Sequence, residues 1–224
     1  MFIDHIGAAV LQLIGQASAA VPFRSIGRMS FPLFVFLLVE GFFYTHDRKR
    51  YALRLLIFSF ISEIPFDLAF FPTSPDLVGS RLFFPDRQNV FPTLLFGFLL
   101  IWFVDTVIEK VPSLILKICF SAAAVYLGFF AGSQLHTDYG GYGVLAVLLG
   151  YMVKRYAKNQ TVEILLIVLL LVFQNTVELF ALLDLIPVYF YGGKKGRTIS
   201  KWFFYFFYPA HLLILWAVRV FFIR

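Results

Sequence analysis

The sequence predicts an all-α protein: a single-domain polytopic transmembrane helical bundle of about 8–9 spans, covering residues 1–224. Three observations carry this. The chain is 60% hydrophobic and only 14% charged, against about 25% charged in ordinary soluble domains. Its mean hydropathy is +0.83 and it is 20% aromatic, so a soluble globule would lack the polar surface to cover it. Runs such as 31–38, 94–104 and 164–173 are continuously apolar. That suits helices, because barrel strands alternate over segments of about 10 residues.

A spanning helix takes about 20 apolar residues. Hydropathy, with Gly, Pro and charge as punctuation, places spans at 2–20, 31–45, 51–71, 90–108, 112–131, 140–153, 161–173, 176–190 and 202–222. The segments 140–153 and 161–173 are short, as tilted or re-entrant pieces shielded by protein would be. The first span opens at Met1 with no basic anchor. It reads as an abbreviated helix, either starting near the interface or lacking an upstream part. No basic flank and small-residue cleavage site marks a signal peptide.

The loops alternate in charge. Arg48, Lys49, Arg50, Arg54, Lys110, Lys154, Arg155, Lys158, Lys194, Lys195, Arg197 and Lys201 fall on one side, 12 of the 19 Lys and Arg. Arg24, Arg28, Arg81, Arg87, Arg219 and Arg224 fall on the other. The positive-inside rule puts the first set in the cytoplasm, with the N-terminus inside and the C-terminus outside. The net charge of +6 then belongs to membrane topology and not to nucleic acid. The single Cys119 and four His argue against disulfides, metal clusters and haem, so no metal is expected. No phosphate loop, zinc motif or nucleophile elbow is present.

Ionisable side chains in hydrocarbon are costly, so each is a candidate for function. They are Asp4, His5, Glu40, Glu63, Asp67, Asp184 and His211, with Arg28, Asn89 and Asp138 at span ends. Asp4 and His5 point about 100° apart on a helix. His5 shares a stripe with Gln12 and Gln16 and reads as a general base, or else as an interfacial histidine. Glu63 and Asp67 lie one turn apart, and Arg28 is their expected partner in the outer half. Glu40 falls in the inner half, near His5 or at the interface beside His46. His211 is too deep to reach water. Asp138 reads as a helix cap, and the Lys194–Arg197 run as a topological anchor or a phosphate contact.

These positions sit in motifs that resemble the TraX family of bacterial membrane proteins. The stretches are Ile3-Asp4-His5-Ile6-Gly7, Ile26-Gly27-Arg28-Met29-Ser30-Phe31-Pro32, Val39-Glu40-Gly41-Phe42, Ser62-Glu63-Ile64-Pro65-Phe66-Asp67, Gln88-Asn89-Val90, Asp138-Tyr139-Gly140, Tyr191-Gly192-Gly193-Lys194-Lys195-Gly196 and Phe207-Tyr208-Pro209-Ala210-His211-Leu212. The family is named for acetylation of the pilin N-terminus and looks like a branch of the transmembrane acyltransferase group. The resemblance implies an acetyltransferase of the bacterial cytoplasmic membrane that takes acetyl-CoA from the cytoplasm. It implies His5 as base or acyl carrier, beside Asp4, with Glu40 or His211 orienting it. Arg28, Glu63, Asp67, Asn89 and Asp138 would bind the acceptor, and Lys194, Lys195 and Arg197 the CoA phosphates. In one subgroup a basic residue precedes the first-span His by eleven positions; here that position falls before Met1. The competing readings are an ion-coupled transporter, in which the buried acids and histidines form a path, and a non-catalytic partner in envelope assembly. The acceptor and the oligomeric state are not legible.

Overall fold

The computed structural model describes residues 1–72, 86–193 and 200–222. Helix α1 (Phe2–Ile6) runs directly into a π-helical turn, Gly7–Leu11. There follow α2 (Ala17–Gly27), α3 (Ser30–Tyr44), α4 (Arg48–Phe70), α5 (Val90–Lys110), α6 (Leu114–Gln134), α7 (Gly140–Tyr156) and α8 (Gln160–Val172). A 3-10 helix, Thr176–Asp184, leads into α9 (Leu185–Tyr189), and α10 (Lys201–Phe222) closes the fold. Polar side chains start several of these helices by satisfying free N–H groups: Asp47 for α4, Asn89 for α5 and Asn159 for α8.

The all-α expectation holds. Among the described residues, four helical stretches are long and apolar enough to cross a membrane: Ala17–Tyr44, Val90–Lys110, Leu114–Gln134 and Trp202–Phe221. By length and composition the chain is an integral membrane protein. The eight or nine spans read from sequence are not shown, for physical reasons. The 2–20 segment breaks at Gly15, whose φ of +80° favours glycine, so α1 folds back on α2. α4 is long but carries Arg48, Lys49, Arg50 and Arg54 near its start and Glu63 and Asp67 within it. At about 1.5 Å per residue, the 13-residue α8 rises only about 20 Å. Segment 176–190 is a 3-10 helix followed by one short α-helix.

Contacts fix two ends of the bundle. Arg48 and Arg155 meet Asp105, Lys154 meets Glu40, and Gln160 meets the Tyr191 carbonyl; we call this the basic end. Arg28, Asn89, Asp138 and Asn175 lie towards the other. Arg54 donates to Tyr205, and Arg219 to the Leu68 carbonyl, so α10 runs parallel to α4. Val39, Phe42, Phe98, Ile101, Val147, Tyr151, Ile167 and Leu212 fill the core. α6 fully buries only Gly132; Ala124 and Val125 pack against the core, while Leu114, Ile115, Tyr126 and Leu127 face outward.

Helices in lipid associate through close packing of small residues, because lipid supplies no hydrophobic drive between them. At Gly97 of α5, an added Cβ would come within 2.6 Å of Val147 on α7. Gly97→Ala is expected to lower stability by about 1–3 kcal/mol, as overpacking does. Gly192→Ala, with nothing within 4 Å, should be neutral. Thermal unfolding in detergent micelles checks both.

Candidate functional site

The site is built on α1, a helix too short to cross the membrane, held between α2 and α10. Asp4 and His5 leave it in different directions, as consecutive helical residues must, and both are buried. Asp4 accepts from Arg24 Nη1 at 2.8 Å and from Arg28 Nη2 at 2.9 and 3.0 Å. Arg28 Nη1 also donates to Glu178 of the 3-10 helix at 3.1 Å. Close approach allows this: a Cβ at Gly27 would lie 2.1 Å from that of Asp4. Two guanidinium groups and two carboxylates thus join α1, α2 and the 3-10 helix where Asp4, at 6% exposure, has little water to replace them.

His5 faces α10. Its Nδ1 lies 2.7 Å from Nε2 of His211, and the rings stack at an interplanar angle of 12°. His211 Nδ1 lies 2.7 Å from the Phe207 carbonyl oxygen. A carbonyl only accepts, so His211 Nδ1 carries a hydrogen and, in the neutral ring, its Nε2 is a bare acceptor. His5 Nδ1 must then donate to it, and Nε2 of neutral His5 is left as a lone pair. Phe70 and Tyr208 pack edge-on against the His5 ring. At ten residues into α10, His211 stands about 15 Å above the start of that helix, near mid-height.

A second rung fixes the register. Arg219, 1% exposed, donates to the carbonyls of Ala9, Ala69 and Leu68. It ties the π-helical turn after His5 to α4 and α10.

Beside His5 lies a polar cavity of about 440 Å³, lined by Asp4, Arg24, Arg28, Arg87, Asp138, Tyr139, Asn175 and Glu178 as well as Gln12. A separate, mainly apolar cleft of about 600 Å³ runs between α3, α4, α5 and α10. Val90 and Tyr208 line both.

The structure brings together Asp4, His5, Arg28, Asp138 and His211 among the residues singled out from sequence. It corrects the placement of others. Glu40 is not beside His5; its carboxylate pairs with Lys154 at the basic end, about 15 Å along α3 from Ser30. Arg28 does not pair with Glu63 or Asp67. On α4, Phe66 and Phe70 line the cavity, and Asp67 is rotated from Phe66 by about 100°. Glu63 instead accepts from the amide of Asn89, which also donates to the Ser59 carbonyl at 2.8 Å and caps α5. Asp138 does not cap α7, whose N-cap is Tyr139 with no side-chain bond. Lys194, Lys195 and Arg197 lie outside the described residues. Sequence reasoning missed Arg24, Glu178 and Arg219. Arg24 was findable, because it stands four residues before Arg28 on the same helical face.

Removing Arg28 strands a buried carboxylate. Arg28→Met is expected to cost about 3–5 kcal/mol, and Glu178→Leu added to it should recover part of that loss. Thermal unfolding of the single and double variants reads the coupling.

A family model described as TraX protein matches residues 1–219. The chain is also 30% identical, over 238 aligned positions, to a Dichelobacter nodosus protein named probable fimbrial assembly protein FimC, serogroup H1. That alignment covers 99% of this chain and 91% of the relative. No solved structure matches.

Proposed function

Because the chain belongs to the TraX family, which is associated with pilin acetylation, we propose that it is a membrane-embedded acetyltransferase. It moves an acetyl group from cytoplasmic acetyl-CoA to an amine or hydroxyl acceptor at or across the membrane. The observation that carries this reading is His5, which lines a polar cavity and is bonded to His211 behind it. An attacking amine or hydroxyl must shed a proton, and a lone pair held at a fixed nitrogen is what that step requires.

The acceptor enters the polar cavity, where Arg24, Arg28, Asp138 and Tyr139 offer both donors and acceptors. As its nitrogen or oxygen bonds to the acetyl carbon, its proton passes to His5 Nε2. The carbon–sulfur bond breaks, and the departing CoA thiolate takes that proton. His211 acts by orienting His5, and it strengthens its hydrogen bond when His5 becomes cationic. Asp4 holds α1 in place through its arginines. Glu63, Asp67 and Asn89 brace α4 and α5. The basic end faces the cytoplasm in this reading, which sets the C-terminus outside, while the N-terminal ammonium bonds Ser30 beside Arg28, away from that end. Lys194, Lys195 and Arg197 would contact the CoA phosphates. The relative's name, probable fimbrial assembly protein, agrees with an envelope protein as acceptor.

With labelled acetyl-CoA and protein in nanodiscs, His5→Ala should lower transfer about 10²–10⁴-fold. His211→Ala should lower it less, with the KM for acetyl-CoA unchanged in both. Undiminished transfer in His5→Ala sinks the proposal.

One observation favours an ion-coupled transporter instead. Asp184 is wholly buried, and neither of its carboxylate oxygens is hydrogen-bonded in the structure. That reading predicts counterflow in proteoliposomes without CoA, abolished in Asp184→Asn.

A further inference from the structure

At the basic end a cavity of about 500 Å³ opens between α3, α7 and α8, next to the apolar cleft. Its size falls within the range of small-molecule sites, about 300–1,000 Å³. Three cations converge on it: Lys154, Arg155 and Lys158. Lys154 is held by Glu40, and Arg155 by Asp105, which also accepts from Tyr151 at 2.6 Å. Lys158 sits at a left-handed φ of +53° in the turn before α8 and makes no ion pair among the described residues.

Behind the cations lie buried acceptors that lack donors. Gln160 donates through Nε2 to the Tyr191 carbonyl at 3.1 Å, which fixes its amide and leaves Oε1 unpaired. Glu163 is 1% exposed, lines the cavity, and has Oε1 without a partner. Buried acceptors of this kind call for N–H donors. Phe43 and Tyr44 supply aromatic faces at the same cavity, and Tyr44 is 69% exposed.

Cations for phosphate, unpaired acceptors for an exocyclic amine, and an open aromatic face for a purine together describe one ligand. We propose that this cavity binds an adenosine phosphate, the nucleotide half of the acyl donor. This rests on the acetyltransferase reading for its biological occupant, but not for its chemistry. Gly193 also lines the cavity. Tyr44 lines both this cavity and the apolar cleft. From there the cleft climbs α3 to Phe34, about 15 Å, and reaches Val90 and Tyr208 beside the His5 cavity. A ligand seated by its nucleotide at the basic end therefore has a route for its arm towards His5. The headgroup of an anionic lipid shares the phosphate chemistry but brings no purine amine.

Calorimetric titration of protein in phosphatidylcholine nanodiscs tests this, with ADP, IDP and pyrophosphate as probes. IDP replaces the exocyclic amine with an oxygen. ADP should bind about tenfold or more tightly than IDP, through the lost donors. Lys158→Ala should weaken both nucleotides, and Tyr44→Ala should cost about tenfold in ADP affinity through the lost stack. Both side chains are exposed, so neither change threatens folding. Equal binding of ADP, IDP and pyrophosphate, or displacement of ADP by phosphatidylglycerol with no purine preference, reduces the cavity to a phosphate or lipid contact and overturns the proposal. So does acetyl transfer that depends on His5 but is indifferent to Tyr44→Ala and Lys158→Ala. A tenfold preference for ADP in a protein that transfers no acetyl group would uphold the nucleotide site and remove the acetyltransferase reading.

Discussion

The ion cluster around Asp4 is the constraint on which the rest of the site depends. A carboxylate 6% exposed inside a helical bundle is stable only if paired, because desolvation of an isolated charge outweighs most single contacts. Arg24 and Arg28 supply that pairing from α2, and Glu178 binds Arg28 from the other side. The consequence is mechanical. α1, too short to anchor itself across a bilayer, is clamped at a set height against α2. The next residue, His5, is therefore presented to α10 and nowhere else.

That presentation gives the histidine pair its polarity. The chain of bonds from the Phe207 carbonyl through His211 to His5 runs in one direction, since its first member only accepts. The outcome is one free nitrogen on a cavity wall. Arg219 guards the same register one turn beyond His5, where the π-helical turn carries Ala9; single π turns recur at functional sites. Charge is distributed economically between the two ends. At the His5 end the guanidinium groups answer carboxylates from neighbouring helices. At the basic end Lys154 and Arg155 are pinned by Glu40 and Asp105, which leaves Lys158 and two buried acceptors open to a ligand.

Much of this was legible in the sequence, and the part that was not has a common cause. The continuous apolar runs announced helices in lipid, and most span boundaries agree with the helices to within a few residues: 90–108 against Val90–Lys110, and 202–222 against Lys201–Phe222. The exceptions are local. Gly15 turned one span into a hairpin, and the 176–190 segment took a 3-10 path, since hydropathy measures transfer to lipid and not backbone geometry. Asp4, His5, Arg28 and His211 could be singled out because an ionisable group is conspicuous against an apolar background, and the structure places them near one another.

Which of those groups meet was decided by tertiary structure alone. A sequence gives each residue a height along its own helix, but the rotation and tilt of neighbouring helices remain free. Glu40 was placed near His5 by height and proved to face Lys154. Arg28 was matched to Glu63 and Asp67 by height and proved to face Asp4 and Glu178, because Phe66 and Phe70 occupy the side of α4 that looks into the cavity. The amino-acid sequence by itself determined that this chain lives in a membrane, that its family is TraX, and which few polar side chains had to find partners. The packing of helices, set by glycines such as Gly27 and Gly97 that let backbones come close, decided the pairings. Partners in lipid are chosen by facing angle as much as by charge, and facing angle belongs to the assembled bundle.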